Sequence, residues 1–174
     1  FAEDVSDFQI EGFGIGESML DSFSEEEIIN FQKIPYNDDT FYDLIAIPAN
    51  LEIYDVLIFG VKKNDPDYSI FSINAVLIYD NQIENCLSKK KEIVSDIKEM
   101  FSKSVIIDEY KDSHHGDKTG NSIFYSTDFD FDSGSNVRVM CLDLTLEFNQ
   151  GPDHLRVIIN SKEYGEWLNS KAYD

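Results

Sequence analysis

The sequence is short of positive charge: 14 Lys and Arg stand against 34 Asp and Glu, a formal net charge of −20 at neutral pH. Such a chain repels phosphate backbones and anionic headgroups, so nucleic acid is not an expected partner. A basic protein surface, cations or plain solubility remain as uses for the charge. Long apolar runs are also missing. The longest are short stretches such as residues 75–79, far below the roughly 20 apolar residues of a membrane-crossing helix, so no membrane insertion is expected. Four prolines are scattered singly, and no repeat, low-complexity tract or Pro- and Gly-rich linker divides the chain. Residues 1–174 therefore read as a single acidic domain.

Cysteine is scarce. Cys86 and Cys141 fit neither a CxxC redox motif nor a zinc ligand set, which leaves one intramolecular bridge or two buried thiols. A bridge across a loop of that size contributes up to about 4 kcal/mol on the chain-entropy model. The chain starts Phe1-Ala2-Glu3-Asp4 without a methionine, as it would after cleavage of a signal peptide behind Ala2, although a start imposed by cloning would read the same. Taken together these features favour the disulfide and a periplasmic or secreted location.

Catalytic signatures are lacking too. No GxSxG elbow occurs, and no nucleophile can be paired with a histidine and an acid. The run Gly12-Phe13-Gly14-Ile15-Gly16 has neither the lysine nor the GxGxxG spacing of a phosphate cradle, and reads as the entry to a helix.

What the chain has in quantity is large hydrophobes: 13 Phe and 9 Tyr among 42% apolar residues, enough to fold despite the charge. Ser24-Glu25-Glu26-Glu27 carries the capping-box pattern of a short N-terminal helix, after another opened by Ser18. Residues 41–47, 54–63 and 68–79 read as strands, from their β-branched and aromatic runs. A long central helix is expected over residues 83–101, with Ile83, Leu87, Val94, Ile97 and Phe101 on one stripe and Lys89, Lys91, Glu92, Asp96 and Lys98 on the wet side. Further strands are expected at 105–110, 123–131, 137–148 and 154–160, with 111–121 a loop and Ser161 capping a C-terminal helix. The fold class is α+β: an antiparallel sheet of about six strands packed with the central helix and terminal helices, the latter sharing one sheet face. In residues 137–148 strict alternation puts Met140, Leu142, Leu144, Leu146 and Phe148 on one side and Val137, Val139 and Cys141 on the other. A bridge to Cys86 thus requires the helix to cover the valine side, or a bulge that changes the phase.

Two clusters are candidate metal ligands. Asp128, Asp130 and Asp132 alternate with phenylalanines ahead of a Ser-Gly-Ser-Asn turn. Counted from Asp128 the segment lacks the glycine and glutamate that an EF-hand loop demands, so it reads as a strand with a solvated acidic face, with weak calcium binding near the turn as the alternative. His114 and His115 lie in an acidic loop; their side chains diverge on extended backbone, so a zinc site there needs a third ligand such as His154.

Three stretches resemble a group of uncharacterised small exported proteins of marine bacteria: Asp7-Phe8-Gln9-Ile10-Glu11-Gly12 through Glu25-Glu26-Glu27-Ile28, Ile83-Glu84-Asn85-Cys86, and Asp153-His154-Leu155-Arg156-Val157 through Trp167-Leu168-Asn169. The resemblance spans nearly the whole chain and implies export and a shared fold, with no activity and no catalytic residue attached. The N-terminal helix pair ahead of antiparallel strands is also loosely similar to the β-lactamase-inhibitor-protein fold. The expected function is an exported accessory or binding module without an evident catalytic centre. The alternatives are a metal-binding protein or metal-dependent hydrolase using the histidines, and an acidic inhibitor of a basic partner.

Overall fold

A computed structural model describes residues 4–101, 105–148 and 151–174. A 3₁₀ turn at Val5–Asp7 leads into a small hairpin, β1 (Gln9–Ile10) and β2 (Phe13–Gly14). Glu11 and Gly12 turn it at φ +54° and +84°, the left-handed pair that a two-residue hairpin turn uses. The early glycines thus build a hairpin rather than a helix entry. A 3₁₀ turn at Met19–Asp21 and α1 (Glu25–Asn30) follow. Ser24 and Glu27 form the reciprocal capping box expected from sequence.

The centre of the structure is an eight-stranded sheet formed by β3 (Gln32–Ile34), β4 (Phe41–Ala46), β5 (Val56–Lys62), β6 (Ile70–Ile78), β7 (Val105–Ser113), β8 (Ile123–Phe131), β9 (Asn136–Asp143) and β10 (His154–Asn160). The order is β3-β4-β5-β6-β10-β9-β8-β7, with every neighbour antiparallel. About six strands were expected. The seven strand segments read from the sequence are all in this sheet, and the eighth strand is β3, three residues without a buried side chain and so without a hydrophobic signature; the β1–β2 hairpin forms a separate sheet. β7 also runs on to Ser113 through residues that read as loop. The helices are few and short beside this sheet: α1 has 6 residues, α2 (Ile83–Met100) has 18 and α3 (Lys162–Ser170) has 9.

The two sheet faces are covered differently. α2 lies over β9 and β10 and buries Cys86, Val94 and Ile97 against Val137, Val139, Cys141, Leu155 and Val157. The N-terminal segment extends the same layer over β5 and β6, with Phe13 edge-on to Phe59 at 5.0 Å between centroids and Val5, Ile10, Met19 and Ile28 buried. The ends of the chain therefore do not share a face. α3 covers part of the opposite face, where Tyr164 and Trp167 pack on Phe41.

Cys86 and Cys141 are joined, with Cα atoms 6.0 Å apart, and both are fully buried. The helix covers the valine side of β9, as that bridge requires, and β9 keeps one register against both neighbours, so no bulge changes the phase. The strand ends at Asp143 rather than Phe148. Leu142 and Leu144 are buried, but Leu146 is 85% exposed: the leucine alternation outlasts the strand that it describes.

Candidate functional site

α2 crosses only the middle of the sheet, while β8 and β7 continue beyond it. Between the helix flank and these two strands lies a groove of about 710 Å³, within the roughly 300–1,000 Å³ usual for small-molecule sites. Leu87, Val94 and Tyr125 give it an apolar floor, and Lys90, Lys91, Lys98 and Lys111 surround it. A chain of net charge −20 thus places four of its 14 basic side chains around one cavity, against one lining carboxylate, Glu109.

Lys90 explains much of this geometry. The core stripe of α2 recurs at 83, 87, 94, 97 and 101, and the missing position between 87 and 94 is Lys90, which is 6% exposed. Its ammonium donates to Thr127 Oγ1 on β8 at 2.6 Å and stands 3.8 Å from Glu109. Burial pushes its pKa down, partly offset by Glu109, and the charge of Lys98 lowers it further. The lysine stem fills core space while its head turns to the groove. Lys111 holds its ammonium 5.8 Å from the Tyr125 ring centroid, within cation–π range. Lys91 and Lys98 form no ion pair among the described residues, so their donors are available to a ligand.

The residues singled out as metal ligands fall elsewhere, and the structure does not assemble them. Among the described residues no three His, Cys, Asp or Glu side chains form a cluster able to hold a metal ion. His114 packs its ring on Phe148, centroids 4.8 Å apart, and its Nδ1 accepts from Gly116 N at 3.1 Å. His115 faces Phe124 at 6.4 Å. His154 has both ring nitrogens engaged: Nδ1 with the Pro152 carbonyl at 2.8 Å and Nε2 with Arg156 Nε at 3.1 Å. Because Arg156 can only donate, Nε2 accepts and Nδ1 carries the proton. Burial holds the His154 pKa below its usual value, opposed by the Pro152 bond and reinforced by Arg156.

The solvated acidic face expected at 128–132 is met at Asp130 and Asp132, which are exposed, and needs correction at Asp128. Asp128 is 8% exposed. It takes a two-pronged bond from Arg138, Nε at 2.8 Å and Nη2 at 2.6 Å, and further hydrogen bonds from Ser126 and Tyr110 hydroxyls at 2.7 and 3.2 Å. Its oxygens are thereby occupied. Asp130 is partly desolvated beside this charge, and both effects raise its pKa. The turn after it is tied to the chain's start, since Ser133 and Ser135 hydroxyls donate to Asp4 Oδ1 at 2.9 and 2.6 Å.

On the face opposite α2, Tyr36 and Tyr164 donate their hydroxyls to the two oxygens of Asp43, each at 2.7 Å. Burial raises the Asp43 pKa and the two tyrosine bonds pull it back. Burial and the Asp43 charge push both tyrosines up. This clamp anchors α3 to β4.

No sequence motif marks the groove lysines as a site. The available signals were the triplet Lys89-Lys90-Lys91 in an acidic chain and a lysine in phase with the core stripe.

No family model and no curated protein matches the sequence. Among solved structures the chain is similar to the solution structure of cyanobacterial PsbP (CyanoP) from Synechocystis sp. PCC 6803, at a TM-score of 0.41 and 8% identity, covering 86% of this chain and 90% of that one. A likeness at that level assigns no function.

Proposed function

We propose that this protein is an exported binding module whose α2–β7 groove takes an elongated amphiphilic organic anion, in the manner of a long-chain carboxylate. The observation that carries the reading is the concentration of four lysines around an apolar-floored groove in a strongly acidic chain. Self-repulsion among like charges in a cluster is unfavourable, and an anionic head relieves it while an apolar body covers Leu87, Val94 and Tyr125. Export is supported by the buried disulfide, a bond that persists in oxidising compartments. The metal-dependent hydrolase reading gains no support from the described residues, which hold no ligand cluster.

The test is calorimetric titration with laurate, against dodecyltrimethylammonium and dodecanol of matching chain length. Laurate is expected to bind one to one and to weaken with salt. Charge reversal at the exposed pair, Lys91→Glu with Lys98→Glu, is expected to lower its affinity about tenfold or more. Equal binding of the cationic detergent, or indifference to the double substitution, would overturn the reading.

A further inference from the structure

The chain has two arginines, and the fold treats them in opposite ways. Arg138 closes its fork on Asp128. Arg156, diagonal to Arg138 on the adjacent strand β10, has no carboxylate within ion-pair distance among the described residues. Its Nε donates to His154, a neutral acceptor. The side chain lines a cleft of about 170 Å³ on the sheet face opposite the lysine groove, between the sheet and α3. The carboxylate that lines this cleft, Asp43, has both oxygens taken by the hydroxyls of Tyr36 and Tyr164. A partly buried guanidinium without a counter-ion is an arrangement that folding alone disfavours.

The same cleft holds a second anomaly. Asn74 Oδ1 is the one buried side-chain polar atom among the described residues without a hydrogen-bond partner. Asn74 sits on β6 opposite Ile158, and Arg156 sits opposite Val76. The two side chains are therefore diagonal neighbours on one face, within joint reach of a single small molecule. Ile158 and Leu168 supply apolar wall.

From this geometry we infer that the cleft is a second ligand site, for a small 2-hydroxy carboxylate. The carboxylate lies on the open guanidinium fork, the planar bidentate pairing for which arginine is suited. The hydroxyl meets the Asn74 amide, and because a hydroxyl both donates and accepts it serves either orientation of that amide. An amino group in its place would put a second positive charge beside the guanidinium. Size agrees: with about 30 Å³ of liquid volume per water molecule, the cleft has room for five or six non-hydrogen atoms, the size of lactate. The inference goes beyond the amphiphile reading and is independent of it, since the two sites lie on opposite faces of the sheet.

The test is binding of lactate, acetate and inorganic phosphate, followed by heteronuclear NMR on the natively oxidised protein. Lactate is expected to shift the Asn74 side-chain amide and the Arg156 Nε–H resonances and to bind about tenfold more tightly than acetate. Arg156→Lys keeps the charge but removes the fork; a tenfold loss of lactate affinity with an unchanged melting temperature supports the assignment. Asn74→Leu is expected to erase the preference for lactate over acetate. Phosphate binding as strong as lactate, with no effect of Asn74→Leu, would show a site that reads charge alone and would overturn the hydroxy-acid assignment. No binding of any of the three to the folded wild type would overturn the site. Laurate binding in the α2–β7 groove is unaffected by either substitution if both readings hold, so each can fail separately.

Discussion

The ring of Tyr164 rests directly on Gly60: a Cβ built on that glycine would lie 2.5 Å from Tyr164 Cε2 and 2.8 Å from Ser72 Cβ. Gly60 is a strand-interior glycine whose missing side chain lets α3 dock, so that the Tyr164 hydroxyl reaches Asp43 across the gap. The register shift between β5 and β6 falls at the same place, where a bulge eases the fit.

Gly60→Ala is therefore expected to destabilise the protein by about 2–3 kcal/mol through overpacking, and to shift the near-ultraviolet signals of Tyr164 and Trp167. Gly165 in α3 is the matched control: its added Cβ meets nothing closer than Asn160 Cβ at 3.9 Å. Gly165→Ala is expected to stabilise by about 0.5–1 kcal/mol, because alanine is the better helix former. Urea unfolding of both variants checks the pair.

Replacing both cysteines, Cys86→Ala with Cys141→Ala, removes a bridge that closes a separation of 55 residues. The expected loss is about 4 kcal/mol on the chain-entropy model. Because both sulfurs are shielded from solvent, thiol titration of the native protein without denaturant is expected to detect no free thiol even after brief exposure to mild reductant.

Asp128→Ala strips Arg138 of its partner and leaves Ser126 and Tyr110 without their acceptor. Arg138 keeps partial access to water, so the expected cost is about 1–3 kcal/mol. Replacing the pair together by Asp128→Leu and Arg138→Met is expected to recover part of that loss, since no charge is then stranded. Thermal unfolding of the single and double variants reads out the difference.

His154 gives stability a pH dependence whose sign is set by its depressed pKa. The unfolded chain binds a proton near the ordinary value of 6.5, while the folded chain resists it. Its contribution is thus full above about 6.5 and is lost as the pH falls through the lower folded value. Asp43, whose pKa is raised, acts in the opposite sense, becoming more favourable as the pH drops. The comparison that isolates His154 is the wild type against His154→Asn at pH 7 and 5.5. The wild type is expected to lose more stability on acidification than the variant does.

Local signals carried well from sequence to structure where a single periodicity or cap decided the outcome. The capping box at Ser24, the Ser161 cap of α3, the central helix and the strands around residues 41–46, 56–62, 70–78, 123–131 and 154–160 are all of that kind. What failed to show was anything set by pairing between distant segments. Asp128 looks solvent-facing within its own strand, and only the register that places Arg138 opposite it makes it an ion-pair partner. Lys90 was hidden for the converse reason: a charged residue at a core position scores as a gap in the stripe, whereas its meaning depends on Thr127 and Glu109 on other strands. The two anomalies of the Asn74 and Arg156 cleft become neighbours only when β6 pairs with β10, and β4, β5 and α3 complete its walls.

The strand order has a consequence for how the molecule is made. β10, the last of the sheet strands to be synthesised, sits between β6 and β9, so the first four sheet strands and the next three are two unjoined halves until it arrives. Each half presents an open edge in the meantime, a surface prone to pairing with other chains. Folding from the N-terminus as the ribosome moves cannot finish this protein. Closure waits for residues 154–160, and a nascent chain released or stalled short of them holds neither the Arg156 cleft nor a continuous sheet.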